Sequence, residues 1–169
     1  YGSEMAQVLV YADVVDPNGK IHRLTPQNLG LTYRHCALPK DWIFIGARLK
    51  GYKEHPEKIQ EKISSFLEER ERTQPVHSRT GGSTFANPEG ASAWELIEKA
   101  GCRGLQKGGA MMSDLHCNFM INTGNATAAD LEDLAEEVRQ RVLTTTGIEL
   151  RWEIERIGTR QRERGERAA

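Results

Sequence analysis

The stretch from Thr127 to Gly147 constrains the fold of this chain more than any other. Thr127 stands three residues before Asp130, the spacing of a capping box, in which hydroxyl and carboxylate each satisfy a backbone amide left open at a helix start. Leu131, Leu134, Ala135, Val138 and Val142 then repeat along one apolar stripe, and Gly147 is placed to take the left-handed angle that ends a helix. Such a helix draws most of its stability from what its stripe lies against. The neighbouring segments offer a sheet. Leu105 to Met112 and Asn118 to Asn122 read as short strands, and Thr123-Gly124-Asn125 as a turn. Ile148 to Ile157 reads as a closing strand, with Ile148, Leu150, Trp152 and Ile154 on one face and Glu149, Arg151, Glu153 and Glu155 on the other. A shorter helix precedes them. Ser92-Ala93-Trp94-Glu95 has capping-box form, Leu96, Ile97 and Ala100 point inward, and Gly101 is the expected C-terminal cap.

The first part of the chain has a different rhythm. Val8 to Val15 is apolar on both faces, the pattern of a central strand. Asp16-Pro17-Asn18-Gly19 is a turn signal, and Ile21 to Leu24 should return antiparallel. Gly30 to Cys36 is a short segment with an arginine among buriable residues. Trp42 to Tyr52 alternates Ile43, Ile45, Ala47 and Leu49 as a further strand. Pro56 opens a helix to about Arg72, with Ile59, Ile63, Phe66 and Leu67 as its stripe and a charged solvated face opposite. The residue before Pro75 avoids helical angles, which stops it. The expected class is α+β.

From Thr73 to Gly90 there is almost no periodicity, and long ordered loops of this kind often carry function. Within it lies Gly81-Gly82-Ser83-Thr84-Phe85-Ala86-Asn87-Pro88. Glycines allow backbone angles and close approaches that a side chain would block, so Ser83 can be presented at the mouth of a cleft. The same residue types also make ordinary loops.

Composition removes several classes. The formal net charge is -1, from 23 Lys+Arg and 24 Asp+Glu, so no overall basic field points to nucleic acid. No apolar run approaches a membrane span. The three cysteines, Cys36, Cys102 and Cys117, are odd in number and unclustered, which fits a reducing cytoplasm. His35-Cys36 and His116-Cys117 do not have zinc-ligand spacing, since adjacent strand residues point to opposite faces; no metal is expected. Gln106-Lys107-Gly108-Gly109 lacks the spacing of a phosphate loop and reads as a glycine-tight strand start.

Ser83 has the chemistry of a nucleophile or a proton donor. None of the five histidines sits in a triad context, and a proton-donor role demands less. Glu153 is either a solvated strand carboxylate or a site group. Arg34 is either a structural ion-pair partner or a ligand for a carboxylate or phosphate.

Taken together, Tyr1-Gly2-Ser3-Glu4, Tyr33-Arg34-His35, Thr73-Gln74-Pro75, Gly82 to Pro88, Ser113 to Asn122, Thr123 to Thr127 and the Glu153 segment resemble the UDP-N-acetylenolpyruvoylglucosamine reductase family. The motifs occur in the family's order across nearly all of residues 1–158. The absence of an insertion between Trp42 and Glu57 is similar to the shorter form of the family, which lacks a tyrosine-bearing loop. The resemblance implies an oxidoreductase of peptidoglycan precursor synthesis, and so of cell wall biogenesis, cell shape and cell division. FAD and NADPH would reduce the enolpyruvyl ether of UDP-N-acetylglucosamine to the lactyl ether of UDP-N-acetylmuramate. Ser83 falls on the family's proton donor, Arg34 on its active-site arginine and Glu153 on its late glutamate, the three expected to line one cleft. Asn87 falls on a residue that helps hold the substrate diphosphate; Gln74 is a further expected substrate contact. Tyr33 and Arg34 are implied on the flavin side. Cys36 departs from the serine usual after Tyr-Arg-His.

The implied organisation is a partial FAD-binding domain, second lobe, at 1–55, a connecting helix at 56–72, a substrate-binding α/β sandwich at 73–158 and a charged, frayed tail at 159–169. The expected protein is cytoplasmic and monomeric, without nucleic-acid or membrane partners. The family's glycine-rich FAD segment is not among these residues, so this piece alone should bind FAD poorly and not turn over. A rival reading is a non-enzymatic nucleotide-sugar binding module without a flavin domain, and a third is a thiol or metal protein. Sequence upstream of Tyr1 separates the first two, and metal analysis tests the third.

Overall fold

The computed structural model describes residues 2–159; Tyr1 and most of the expected tail lie outside the described residues. The chain divides into two units, Tyr1–Phe66 and Leu67–Ala169, each with its own antiparallel sheet.

In the first unit, α1 (Met5–Val8) leads into β1 (Leu9–Val15), which turns into β2 (Ile21–Leu24); α2 (Pro26–Leu29) and β3 (Ile43–Leu49) follow. The sheet order is β2-β1-β3, so the strand that is apolar on both faces is the central one. The turn forms as its residues require. Asp16 Oδ1 accepts from the amides of Asn18 and Lys20 at 2.9 and 3.0 Å, and Gly19 sits at φ 79°. Ala12, Val14 and Leu29 are buried. The alternation along β3 does not bury a face, because every residue from Ile43 to Leu49 is exposed. The helix α3 (Pro56–Thr73) forms where its pattern places it but has no buried residue. Ile59, Ile63, Phe66 and Leu67 are all exposed. Periodicity reports which face is apolar; whether that face is covered depends on what packs against it.

In the second unit, β4 (Thr80–Ser83), β5 (Gln106–Lys107), β6 (Ala110–Met112) and β7 (Phe119–Asn122) form a sheet of order β4-β7-β6-β5. The helix α5 (Ala128–Thr146) packs on it, and α4 (Ala93–Lys99) packs against α5. Leu134, Ala135, Val138 and Val142 of α5 are fully buried against Ile97, Met112, Met120 and Leu150. Each buried leucine, isoleucine, valine or methionine among them contributes about 1.5–3 kcal/mol relative to exposure. The Thr127–Asp130 box closes in both directions, at 3.1 and 2.9 Å, and Gly147 ends the helix at φ 73°.

Four local expectations change. Leu105 to Met112 is a hairpin, β5 paired with β6. Gly108 turns it at φ 54°, and a Cβ on Gly109 would come within 2.5 Å of the Ala126 amide nitrogen. The Ser92 side chain does not cap α4; Asn87 Oδ1 accepts from the Ala93 amide at 2.9 Å instead. The closing segment 148–157 is extended but is not a ladder strand, making only an isolated bridge between Trp152 and Phe85. Three of its four expected inward residues follow the alternation, with Leu150 buried and Trp152 and Ile154 packed on the core, while Ile148 does not join the core cluster. Finally, the aperiodic stretch contains a strand, β4, which glycines and hydroxyl residues conceal from a hydrophobic pattern.

Candidate functional site

Ser83 ends β4, an edge strand paired with β7. Thr80 pairs with Ile121 and Ser83 with Phe119, so three steps along β4 oppose two along β7. The extra residue is a β-bulge in the Gly81-Gly82 pair, with Gly82 at φ 89°. A bulge bends its strand and re-aims the side chains beside it. Gly81 also lies close to the closing segment, where a Cβ would meet Ile154 Cδ1 at 3.3 Å. The glycines therefore set both the direction of the strand and its approach to the 151–154 segment. Ser83 is half-buried, and no described residue makes a hydrogen bond to its hydroxyl.

The residues after Ser83 are held on two sides. The Thr84 amide donates to the Asn118 carbonyl at 2.8 Å. On the other side the Ala86 amide donates to the Arg151 carbonyl and the Glu153 amide to the Thr84 carbonyl, both at 2.9 Å. Phe85 is fully buried, its ring 5.5 Å from that of Trp152. Glu153, half-buried, is thereby tied to the residue that follows Ser83. Trp152 fixes this segment further, its indole N–H donating to Glu136 Oε1 at 3.0 Å.

Asn87 is exposed, and its carbonyl oxygen is engaged in capping α4. Gln74 is half-buried just past α3, its amide donating to the Arg70 carbonyl at 2.8 Å. A groove of about 530 Å³ lies on the same unit, lined by Arg79, Thr80, Trp152, Ile154 and Arg156 among others; neither Ser83 nor Glu153 lines it. His116, whose place in the sequence speaks only against a metal site, packs against the Trp94 and Phe119 rings. Its Nδ1 accepts from the Asn118 amide at 3.4 Å, and burial lowers its pKa from the usual imidazole value. Burial likewise raises the Cys102 and Cys117 thiols, as expected of inert core cysteines.

Arg34 and Tyr33 belong to the first unit. Arg34 is the one described non-glycine residue at positive φ, 52°; left-handed backbone costs a residue with a Cβ about 1–2 kcal/mol. Its guanidinium carbon is 5.5 Å from the Tyr33 ring centroid. Both line a cleft of about 630 Å³ with Ser3, Glu4, Thr32 and His35. Cys36 turns away into structure, its thiol donating to the Leu29 carbonyl at 3.4 Å. Among the described residues no group of three or more His, Cys, Asp or Glu could hold a metal, and no helix is long and apolar enough to cross a membrane.

Two antiparallel sheets and a glycine-bulged edge strand presenting a serine define a mixed α+β protein with a serine hydroxyl at a sheet edge. Residues 74–157 match the family model described as UDP-N-acetylenolpyruvoylglucosamine reductase, C-terminal domain. The chain is 56% identical over 161 residues to the protein of that name from Paramagnetospirillum magneticum, covering 95% of this chain and 52% of that one. It is 55% identical over 160 residues to the one from Rhodospirillum rubrum, covering 92% and 50%. The crystal structure of the Thermus caldophilus reductase superposes with a TM-score of 0.75 at 36% identity, over 89% of this chain and 54% of that one. This chain belongs to the UDP-N-acetylenolpyruvoylglucosamine reductase family, and it spans about half the length of the relatives it matches.

Proposed function

We propose that these residues form the substrate side of a flavin-dependent reductase that converts UDP-N-acetylglucosamine enolpyruvate to UDP-N-acetylmuramate, with NADPH as the reductant. The observation that carries the reading is the Ser83 hydroxyl, presented by a bulged edge strand whose next residue is bonded to Glu153, in a chain of this family.

The first unit's cleft fits part of a flavin nucleotide. It combines an exposed aromatic ring, Tyr33, with the donors of Arg34 on a backbone held in a costly conformation, and such outliers cluster at ligand sites. Tyr33 and Arg34 would hold FAD. When bound and reduced by NADPH, FAD supplies the hydride that adds to one alkene carbon of the enolpyruvyl group. The remaining work falls to this chain. Hydride addition next to a carboxylate builds enolate charge, which cationic and hydrogen-bonding groups stabilise; Arg34 is assigned the cationic role. Ser83 gives its proton to the other carbon. Serine is a weak acid, but an enolate is a strong enough base to take its proton. Glu153 orients the site or acts as an acid, because a bare anion would oppose the enolate. Asn87 and Gln74 bind substrate.

Ser83→Ala in the intact reductase tests this. Flavin reduction by NADPH should be nearly unchanged. Flavin reoxidation by the enolpyruvyl substrate should slow by about 10²- to 10⁴-fold, the usual value of a positioned acid, with little loss of substrate affinity. Stopped-flow absorbance separates the two. Equal slowing of both would show that Ser83 supports the fold or the flavin, and an unslowed second step would reject it as the donor.

A further inference from the structure

We propose that Asn118 is a positioning residue for the Ser83 hydroxyl, acting through the Phe85 peptide. This rests on the proton-donor reading of Ser83. The β4–β7 ladder ends at the Ser83–Phe119 pair. Beyond it the side chain of Asn118 takes the place of a strand neighbour. Its Oδ1 accepts from the Phe85 amide at 3.0 Å and its Nδ2 donates to the Phe85 carbonyl at 2.8 Å, while its own carbonyl accepts from Thr84. Asn118 is buried, and only one orientation of its amide satisfies both Phe85 bonds. Asparagine is suited to this place because its amide carries a donor and an acceptor side by side, the complement of the N–H and C=O that one residue presents to a strand neighbour. Aspartate would set a carboxylate oxygen against the Phe85 carbonyl, and alanine would leave a buried N–H and C=O without partners. In either case the loop recovers its bonds by shifting, and Ser83 lies two residues from the peptide that shifts. The segment from Thr84 to Ala86 is thus clamped between Asn118 and the 151–153 segment, and the Asn118 side is the one nearer the end of the ladder.

The test compares Asn118→Ala and the size-conserving Asn118→Asp in the intact reductase. Hydrogen exchange should show the Phe85 amide losing at least about tenfold in protection, a local opening. Flavin reoxidation by substrate should slow about 10- to 100-fold, the cost of misplacing a reacting group by an ångström or so. Flavin reduction by NADPH and the substrate KM should each stay within about threefold, since the Ser83 hydroxyl that is displaced is assigned to protonation and not to flavin reduction or substrate binding. In a Ser83→Ala background, Asn118→Ala should add less than about twofold, the non-additivity of residues acting as one unit. Full additivity would overturn the proposal, as would unslowed reoxidation with Phe85 protection lost. A slowed Ser83→Ala beside an unslowed Asn118→Ala removes this proposal alone; an unslowed Ser83→Ala removes the proton-donor reading, and the positioning role of Asn118 with it.

Discussion

The Glu153 amide donates to the Thr84 carbonyl at 2.9 Å, so the carboxylate-bearing segment is in fixed register with the residue next to Ser83. If Glu153 orients the site or supplies a proton, Glu153→Gln should slow flavin reoxidation by substrate at least about tenfold, the lower range of acid–base contributions being about 10². The backbone bond to Thr84 remains in that variant, so the segment keeps its register. Equal rates for variant and wild type, measured by stopped flow, would reduce Glu153 to a surface carboxylate.

Burial separates the two apolar stripes of this chain. Leu134 on α5 is fully buried and Ile63 on α3 is 46% exposed. Leu134→Ala should therefore cost about 3 kcal/mol through lost transfer energy and the cavity left behind. Ile63→Ala should stay within about 0.5 kcal/mol, as for most surface changes. Denaturant unfolding of this chain, followed by circular dichroism, measures both. A comparable loss for Ile63→Ala would mean that the α3 stripe is covered in solution.

His116 makes stability depend on pH. Burial between the Trp94 and Phe119 rings, with centroids at 6.3 and 4.8 Å, lowers its pKa, and Arg103 lowers it further. The native state therefore favours the neutral ring, while the unfolded chain takes up a proton near pH 6.5. The unfolded state binds more protons between the lowered native pKa and about 6.5, so stability present above 6.5 is lost as pH falls through that window. His116→Phe keeps a ring between Trp94 and Phe119 and cannot titrate. Denaturation midpoints for wild type should fall relative to His116→Phe as pH drops from about 7 to about 5. Parallel pH profiles would show that the native ring titrates as it does in the unfolded chain.

Local signals with a short-range cause were legible in the amino-acid order. The Asp16–Gly19 turn, the Thr127–Asp130 box and the Gly147 cap form because their partners lie within four residues. The α5 stripe is read as easily, and the motifs from Tyr33 to Glu153 point to the family without any tertiary information. The capping of α4 was not legible. Ser92 and Glu95 have box spacing, yet Asn87, six residues before Ala93, supplies the bond, because the loop folds back to bring it there. Nor was β4 visible, since edge pairing with β7 stabilises a Thr-Gly-Gly-Ser run whose side chains carry no strand pattern.

The sequence by itself determined helices α3, α4 and α5, the central β1, the hairpin turn and the identity of Ser83, Glu153 and Arg34 as candidates, all of which follow from propensity, spacing or motif, whereas the single-turn helices α1 and α2 carry no such periodic pattern. Only the tertiary structure decided that Ser83 ends a bulged edge strand, that Glu153 is bonded beside it and that Asn118 clamps the peptide two residues on. Those relationships join positions more than thirty residues apart. They depend on which backbone groups the assembled sheet leaves to be satisfied at its edge, and no local pattern of side chains encodes that.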